Sequence, residues 1–263
     1  MLLIDFLWYF RENKYMRIKE HPIFKVPLAH RGLHSETIDE NSMPAFEAAV
    51  KAGFGIELDV HITADNKIVV MHDTTTTRTT GVEKVINDST FKELKKLRLL
   101  KTNTEIPLLK DVLKLVKGKV PVLVEVKAEN KVPPALVTEV LKVIEKYPYK
   151  DKLAMQSFNP YVARDLKKES TGIPVGQLMS DVLYGQSKLV HFMYRSLLVL
   201  KISKPDFFNY EVKYIHKRNI QRKRKRLPLI TWTIDDYDKE KTAIALADNY
   251  IFEHIEIKEI NYS

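Results

Sequence analysis

Residues 29–73 gather an unusual number of groups able to do chemistry: His30 and Arg31 ahead of Gly32, then Glu40-Asn41, then Glu57-Leu58-Asp59, then His72-Asp73. Apolar, β-prone runs separate them, and a further pair, Glu125 and Lys127, ends another such run. An ionised side chain is costly to bury unless it pairs or binds a metal. Strands that alternate carboxylates with Ile, Leu and Val therefore call for a compensating cation. Hard divalent ions accept carboxylate oxygens readily. Imidazoles titrate near neutral pH, so one ring can give a proton while another takes one. Together these residues imply a divalent-metal site suited to cutting a phosphodiester.

The elements that must position them are legible from periodicity. Eight apolar runs read as parallel strands: residues 26–30, 54–60, 120–127, 153–158, 174–179, 206–211, 227–234 and 249–253. Amphipathic stretches between them, clearest at 42–51, 108–117, 134–146, 161–169 and 236–247, read as helices. This alternation predicts an α/β fold, and eight such units predict a (β/α)8 TIM barrel. Residues 67–73 are also β-like but follow Val60 too closely for a parallel crossover, so the two runs must form an antiparallel hairpin. A two-residue turn at Asp65-Asn66 would set Asp59 directly opposite His72, with Glu57 on the same face. Residues 74–105 hold another helical pattern, capped by Asp88 or Ser89, and read as a small insertion over the C-terminal mouth of the barrel.

Composition bounds the rest. With 263 residues, 44% hydrophobic and 29% charged, the chain suits one barrel domain at 26–263, preceded by an N-terminal amphipathic helical segment at 1–25. It has no cysteine, which excludes disulfides, thiolate nucleophiles and cysteine-held metals. Residues 1–10 are apolar, but Asp5 interrupts them and Arg11 follows; the run is short for a membrane span and lacks the marks of a signal peptide. A helix docked on the domain is the favoured reading and one lying on a membrane surface the alternative; a cytoplasmic location is the expectation, with peripheral membrane contact left open.

The net charge of +9 favours anionic partners. Much of it lies in 213–226, which includes Lys213, Lys217, Arg218, Arg222, Lys223, Arg224, Lys225 and Arg226. That run could meet anionic lipid or be a solvated helix end; no nucleic-acid partner is expected. Barrel connectivity sends Arg222 to Arg226 to the N-terminal face, away from the mouth. Residues 182–202 are unusually apolar and could cap the mouth and meet acyl chains, or form an ordinary outer helix.

The ordered motifs resemble the glycerophosphodiester phosphodiesterase family. That family's pattern runs His-Arg-Gly, Glu-Asn, Glu-x-Asp, His-Asp and Glu-x-Lys, matched here by His30-Arg31-Gly32, Glu40-Asn41, Glu57-Leu58-Asp59, His72-Asp73 and Glu125-Val126-Lys127. Arg78-Thr79-Thr80-Gly81, Ile106-Pro107-Leu108, Met155-Gln156-Ser157-Phe158 and Thr231-Trp232-Thr233 are similar to its later segments. Single dipeptides are weak signals, whereas the ordered set is specific.

The resemblance implies a TIM barrel that hydrolyses glycerophosphodiesters to an alcohol and glycerol 3-phosphate, through a cyclic phosphate. It implies His30 and His72 as general acid and base, and Glu57, Asp59 and Glu125 as ligands of one Ca2+ or Mg2+. Arg31, Lys127 and Trp232 would meet substrate, with Glu40 and Asn41 beside the ion, the glycerol hydroxyls or the ligands. Lysophospholipase D-type activity, or a catalytically silent binding barrel, are the alternatives. Asp39 stands where relatives carry proline, and the last strand lacks their usual Gly- and Asp-rich close. His34, His61, His191 and His254 match no family position and read as surface or packing.

Overall fold

A computed structural model describes residues 15–128 and 132–257. Most of the N-terminal segment expected to be helical, residues 1–14, lies outside them. Eight parallel strands close a barrel: β1 (Leu28–Ala29), β2 (Gly55–Ile62), β4 (Val122–Val126), β5 (Leu153–Ser157), β6 (Val175–Met179), β7 (Phe207–Glu211), β8 (Leu229–Ile234) and β9 (Asn249–Phe252). β3 (Ile68–Val70) pairs antiparallel with β2. The short β1 closes the ring, with Leu28 opposite both Gly55 and Ile251. All eight runs read as strands from sequence are therefore barrel staves.

Helices α1 (Met43–Ala52), α4 (Leu109–Val116), α5 (Leu136–Glu145), α6 (Pro160–Glu169) and α10 (Tyr237–Leu246) match the five read from sequence to within two residues. Three of the five starts carry an oxygen acceptor: Ser42 accepts from the Ala45 N–H, Asn159 from Tyr161 and Asp236 from Lys239, whereas α4 and α5 start on Leu108 and Ala135 without a side-chain cap. Leu109, Val112, Leu113 and Val116 form the buried stripe of α4. They join Ile56, Leu58, Val60, Val122, Val124 and Val126, the outward residues of β2 and β4, in the main core.

The inward faces form two storeys. Leu28, Leu123, Ala154, Phe207, Ile230 and Ile251 fill the lower barrel, plugged from below by Ile23 and Phe24 of a 3-10 turn at Pro22–Phe24. Two residues further along β4, β5, β7 and β9 the same face turns polar, giving Glu125, Gln156, Asn209 and Glu253 beside Glu57 and Asp59, while β8 carries Trp232 at that level. The site thus sits at the C-terminal ends of the strands, as this architecture requires.

The hairpin differs from expectation by one residue. Val60 pairs with Val70, and the Met71 N–H donates to the Asp59 carbonyl at 3.0 Å, so Met71 rather than His72 faces Asp59. The turn has three residues instead of two. Thr63 Oγ1 accepts from the Lys67 N–H and donates to Asp65, and Asn66 takes the left-handed conformation at φ 57°.

The insertion contains α2 (Thr77–Thr80), a 3-10 turn at Ile86–Asp88 and α3 (Phe91–Leu94). It packs its own small core of Val69, Met71, Ile86, Leu94, Leu99, Ile106 and Leu108. The N-cap of α3 is Thr90, not Asp88 or Ser89: Thr90 and Glu93 form a reciprocal capping box, while Ser89 donates back to the Val85 carbonyl. Asp39 ties this insertion to the loop after β1 by accepting from the Lys101 and Thr102 N–H groups at 3.0 and 2.7 Å.

The later connections hold α7 (Lys188–Arg195), α8 (Val199–Ser203) and α9 (Arg218–Arg224). α7 and α8 together carry the apolar 182–202 stretch. Arg224 of α9 donates to the Ala245 and Ala247 carbonyls at the end of α10 and reaches Asp248, the residue before β9. The basic run accordingly ends on the N-terminal face, as connectivity required.

Candidate active site

The chain turns sharply after β1. Arg31 and Gly32 both have positive φ, 55° and 80°. A Cβ on Gly32 would lie 2.9 Å from the Ala45 backbone, so only glycine fits. The turn brings the Arg31 N–H to 3.3 Å from Glu57 Oε2, and its guanidinium to 2.8 Å from Glu40 and 3.5 Å from Asp59. Asn41, also left-handed at φ 51°, donates its N–H to the Arg31 carbonyl and its side-chain Nδ2 to Asp59 Oδ2 at 2.9 Å. Left-handed non-glycine residues cost about 1–3 kcal/mol each and concentrate at functional sites.

β2 and β4 lie side by side with Asp59 in register with Glu125. One oxygen each from Glu57, Asp59 and Glu125 falls within a 4.8 Å cluster, and all three residues are buried. Lys127 Nζ sits 2.9 Å from Asp59 and 2.8 Å from Glu125. Burial opposes ionisation of Asp59, but Lys127 and Arg31 hold its carboxyl well below the usual range. Burial, followed by the charges of Asp59 and Glu125, drives the Glu57 carboxyl well above that range. Burial also raises Glu125 against the pull of Lys127. Three carboxylates thus face two cations, and the excess centres on Glu57, whose nearest donors are the Arg31 N–H and Gln156 Nε2 at 3.4 Å. An all-oxygen set with surplus negative charge fits a hard divalent cation.

Both histidines of the motifs reach the same mouth, each gripped by a carboxylate. His30 Nδ1 is 2.6 Å from Glu253 Oε2, and His72 Nδ1 is 2.7 Å from Asp73 Oδ1. A carboxylate on Nδ1 fixes the ring and leaves Nε2 for proton exchange. Burial lowers the proton affinity of His30 despite Glu253. Burial and then the Lys127 charge push His72 down to about 4. His61, buried on the Asp59 face, places Nε2 3.1 Å from the His72 carbonyl and so helps hold that segment.

Arg78 of α2 bridges the insertion to this mouth. It meets Glu40 through two nitrogens at 2.7 and 2.8 Å and Asp73 at 2.7 Å. Burial works against ionised Glu40, but hydrogen bonds from Arg78 and the charges of Arg31 and Arg78 hold its carboxyl down at about 2. Asp73 is likewise held at about 2, burial being outweighed by Arg78 and His72. Carboxyls depressed on folding stabilise above their ordinary pKa and lose that contribution as pH falls through the folded value. Arg78→Leu should therefore lower Tm at neutral pH and flatten the decline in Tm between about pH 4.5 and 2. An unchanged slope over that window would contradict the network.

Trp232 stands on the inward face of β8, edge-on to Phe158 at 5.7 Å between ring centres, with its indole N–H buried and without a hydrogen-bond acceptor among the described residues. Sequence reasoning missed three supports. Glu253 lies 223 residues from the histidine it holds. Asn209 bonds Gln156, which in turn approaches Glu57. Strand parity was the available signal, since all three lie two residues beyond a buried inward apolar residue. His34 and His254, read as surface or packing, in fact gather at Glu253. His191 braces the loop before α7, with Nε2 3.0 Å from the Leu183 backbone.

Among the described residues no helix is long and apolar enough to cross a membrane. Residues 30–256 match the glycerophosphoryl diester phosphodiesterase family. A glycerophosphodiester phosphodiesterase of Caldanaerobacter subterraneus subsp. tengcongensis is 33% identical over 85% of this chain and 92% of its own. A human lysophospholipase D is 31% identical over 56% of this chain and 50% of its own. Among solved structures, a glycerophosphodiester phosphodiesterase from Thermotoga maritima aligns with TM-score 0.67 and 26% identity, covering 86% of this chain and 94% of that one. An Oleispira antarctica phosphodiesterase, solved with sn-glycerol-3-phosphate, aligns with TM-score 0.73 and 19% identity over 87% and 93% of the two chains. The chain belongs to the glycerophosphoryl diester phosphodiesterase family and is a TIM-barrel hydrolase.

Proposed function

We propose that the protein hydrolyses glycerophosphodiesters to an alcohol and glycerol 3-phosphate, using Glu57, Asp59 and Glu125 to hold one Ca2+ or Mg2+ and His30 and His72 to move protons. The observation that carries this reading is the buried cluster of carboxyl oxygens from Glu57, Asp59 and Glu125 beside two carboxylate-held imidazoles. A bound divalent ion would supply charge neutralisation to the phosphoryl oxygens. One histidine takes the proton of the glycerol 2-hydroxyl as that oxygen attacks phosphorus, and the other protonates the departing alcohol. Reversal of the two roles lets water open the resulting cyclic phosphate. Arg31 and Lys127 add positive charge to the phosphate cradle. Glu40 orients Arg31, Asn41 orients Asp59, and Trp232 with Phe158 forms an aromatic wall.

A second substrate class is favoured by one observation. After β6, at the mouth end, Val182 and Tyr184 of the loop and Leu189 and Phe192 of α7 are exposed, and α7 reaches the carbonyl of Phe158, Trp232's neighbour, through Tyr194 Oη. Lysophospholipids would place an acyl chain there. The discriminating experiment measures glycerophosphocholine, glycerophosphoethanolamine and lysophosphatidylcholine side by side. Glycerophosphodiester turnover is expected, and its absence across the panel would overturn the reading. If lysophospholipid is a substrate, Leu189→Ser with Phe192→Ser should reduce that rate alone.

Peripheral contact with anionic membrane is carried by the basic run. Neutralising Arg222, Lys223, Lys225 and Arg226, while keeping the Arg224 that caps α10, should leave turnover of soluble substrate within about twofold and weaken binding to anionic vesicles. Added salt should weaken the wild type similarly. Loss of soluble turnover without unfolding would put these residues at the wrong end of the barrel.

A further inference from the structure

Beside the mouth, His34, Glu253 and His254 form a second group whose ligand atoms all lie within 4.8 Å of one another, distinct from the carboxylate trio. The two histidine rings pack edge to face, 4.7 Å between centres. The His34 side chain is 9% exposed, yet its Nε2 is buried without a hydrogen-bond partner. That nitrogen lies 3.4 Å from Glu253 Oε2, close enough for charge but not aligned for a bond. Ligand atoms of a tetrahedral zinc site, about 2.0–2.2 Å from the metal, stand roughly 3.3–3.5 Å apart, so this spacing already suits two ligands of one ion. His254, two residues past β9, is exposed with its ring against that of His34. Two imidazoles and one carboxylate are a donor set for borderline transition metals rather than for Ca2+ or Mg2+.

We infer that His34, Glu253 and His254 form a transition-metal site of the Zn2+ class, separate from the hard-ion site, whose occupancy inhibits the enzyme. Inhibition follows from geometry. Glu253 is the carboxylate that grips His30 Nδ1 at 2.6 Å. An ion drawing on the same carboxylate turns it away from His30 and removes the group that orients that ring. Binding of the ion stands on the donor set alone, whereas the inhibitory consequence rests on the hydrolase reading above.

The test uses the full chain saturated with Ca2+ or Mg2+, with Co2+ as a spectroscopic probe and Zn2+ as the inhibitor. Wild type should bind Co2+ with visible bands of nitrogen ligation, and Zn2+ should displace it. His254→Ala should weaken that binding by at least the 10–100-fold that follows loss of a ligand's supporting partner. His34→Gln with His254→Ala should abolish it, while leaving Tm and metal-saturated activity without Zn2+ near wild type. Zn2+ should inhibit the wild type and spare the double variant. Wild-type affinity for Co2+ in the double variant, or no binding in the wild type, would overturn the site. Intact binding without inhibition would overturn the coupling to His30. Because binding is read spectroscopically, failure of the hydrolase reading would leave it measurable.

Discussion

His30→Ala and His72→Ala are each expected to cut turnover by about 10²–10⁴-fold while leaving divalent-metal affinity nearly unchanged. The separation follows from the geometry. Each histidine is tied to a carboxylate outside the cluster of Glu57, Asp59 and Glu125, so its removal subtracts proton transfer without removing a ligand. Because the two rings exchange roles between attack and ring opening, the variants should differ in what they accumulate. A variant that retains attack but loses ring opening would build up cyclic glycerophosphate, detectable by phosphorus NMR. Glu253→Gln and Asp73→Asn should give smaller losses in kcat, since each positions a ring without touching the reacting atoms. Wild-type kinetics in either alanine variant would remove that histidine from the mechanism.

Glu57→Gln is expected to abolish both metal binding and turnover while leaving the metal-free protein as stable as wild type or more so. Among the described residues Glu57 makes no salt bridge, and burial beside Asp59 and Glu125 penalises its charge more than Lys127 and Arg31 relieve it. An amide of the same shape relieves that repulsion. Asp59→Asn should behave differently, because Asp59 anchors Lys127 and Arg31; breaking a buried pair typically costs about 3–5 kcal/mol. In the wild type, an ion at a hundredfold excess over Kd should stabilise by about 2.7 kcal/mol. For a domain of this size that is roughly 5–11 °C in Tm. Glu57→Gln should lose this response entirely. A retained metal-dependent rise in Tm would mean that the ion binds elsewhere.

The parts of the site legible in sequence were those carried on regular strands. Glu57 and Asp59 are two apart on β2, and Glu125 and Lys127 two apart at the end of β4, so strand parity alone brings them to one face. The barrel was legible because eight apolar runs alternate with amphipathic stretches along the chain. Loop chemistry was less legible. Whether Thr63 closes a two- or three-residue turn depends on its side chain capturing the Lys67 N–H, and that choice shifted His72 by one position. Thr90 rather than Ser89 caps α3 because Glu93 stands three residues on to answer it. Glu253 was invisible as a partner of His30 because the link forms only when β9 closes against β1, at the far end of the chain. The network of Arg78, Glu40 and Asp73 depends likewise on the insertion folding back over the first loop.

The most direct test of the account is turnover of glycerophosphocholine after exhaustive chelation, with Ca2+ and Mg2+ added back separately. EDTA should abolish release of glycerol 3-phosphate, one of the two ions should restore it in wild type, and neither should restore it in Glu57→Gln. Full activity in the chelated wild type, or rescue of Glu57→Gln by either ion, would contradict a metal-dependent site built on Glu57, Asp59 and Glu125.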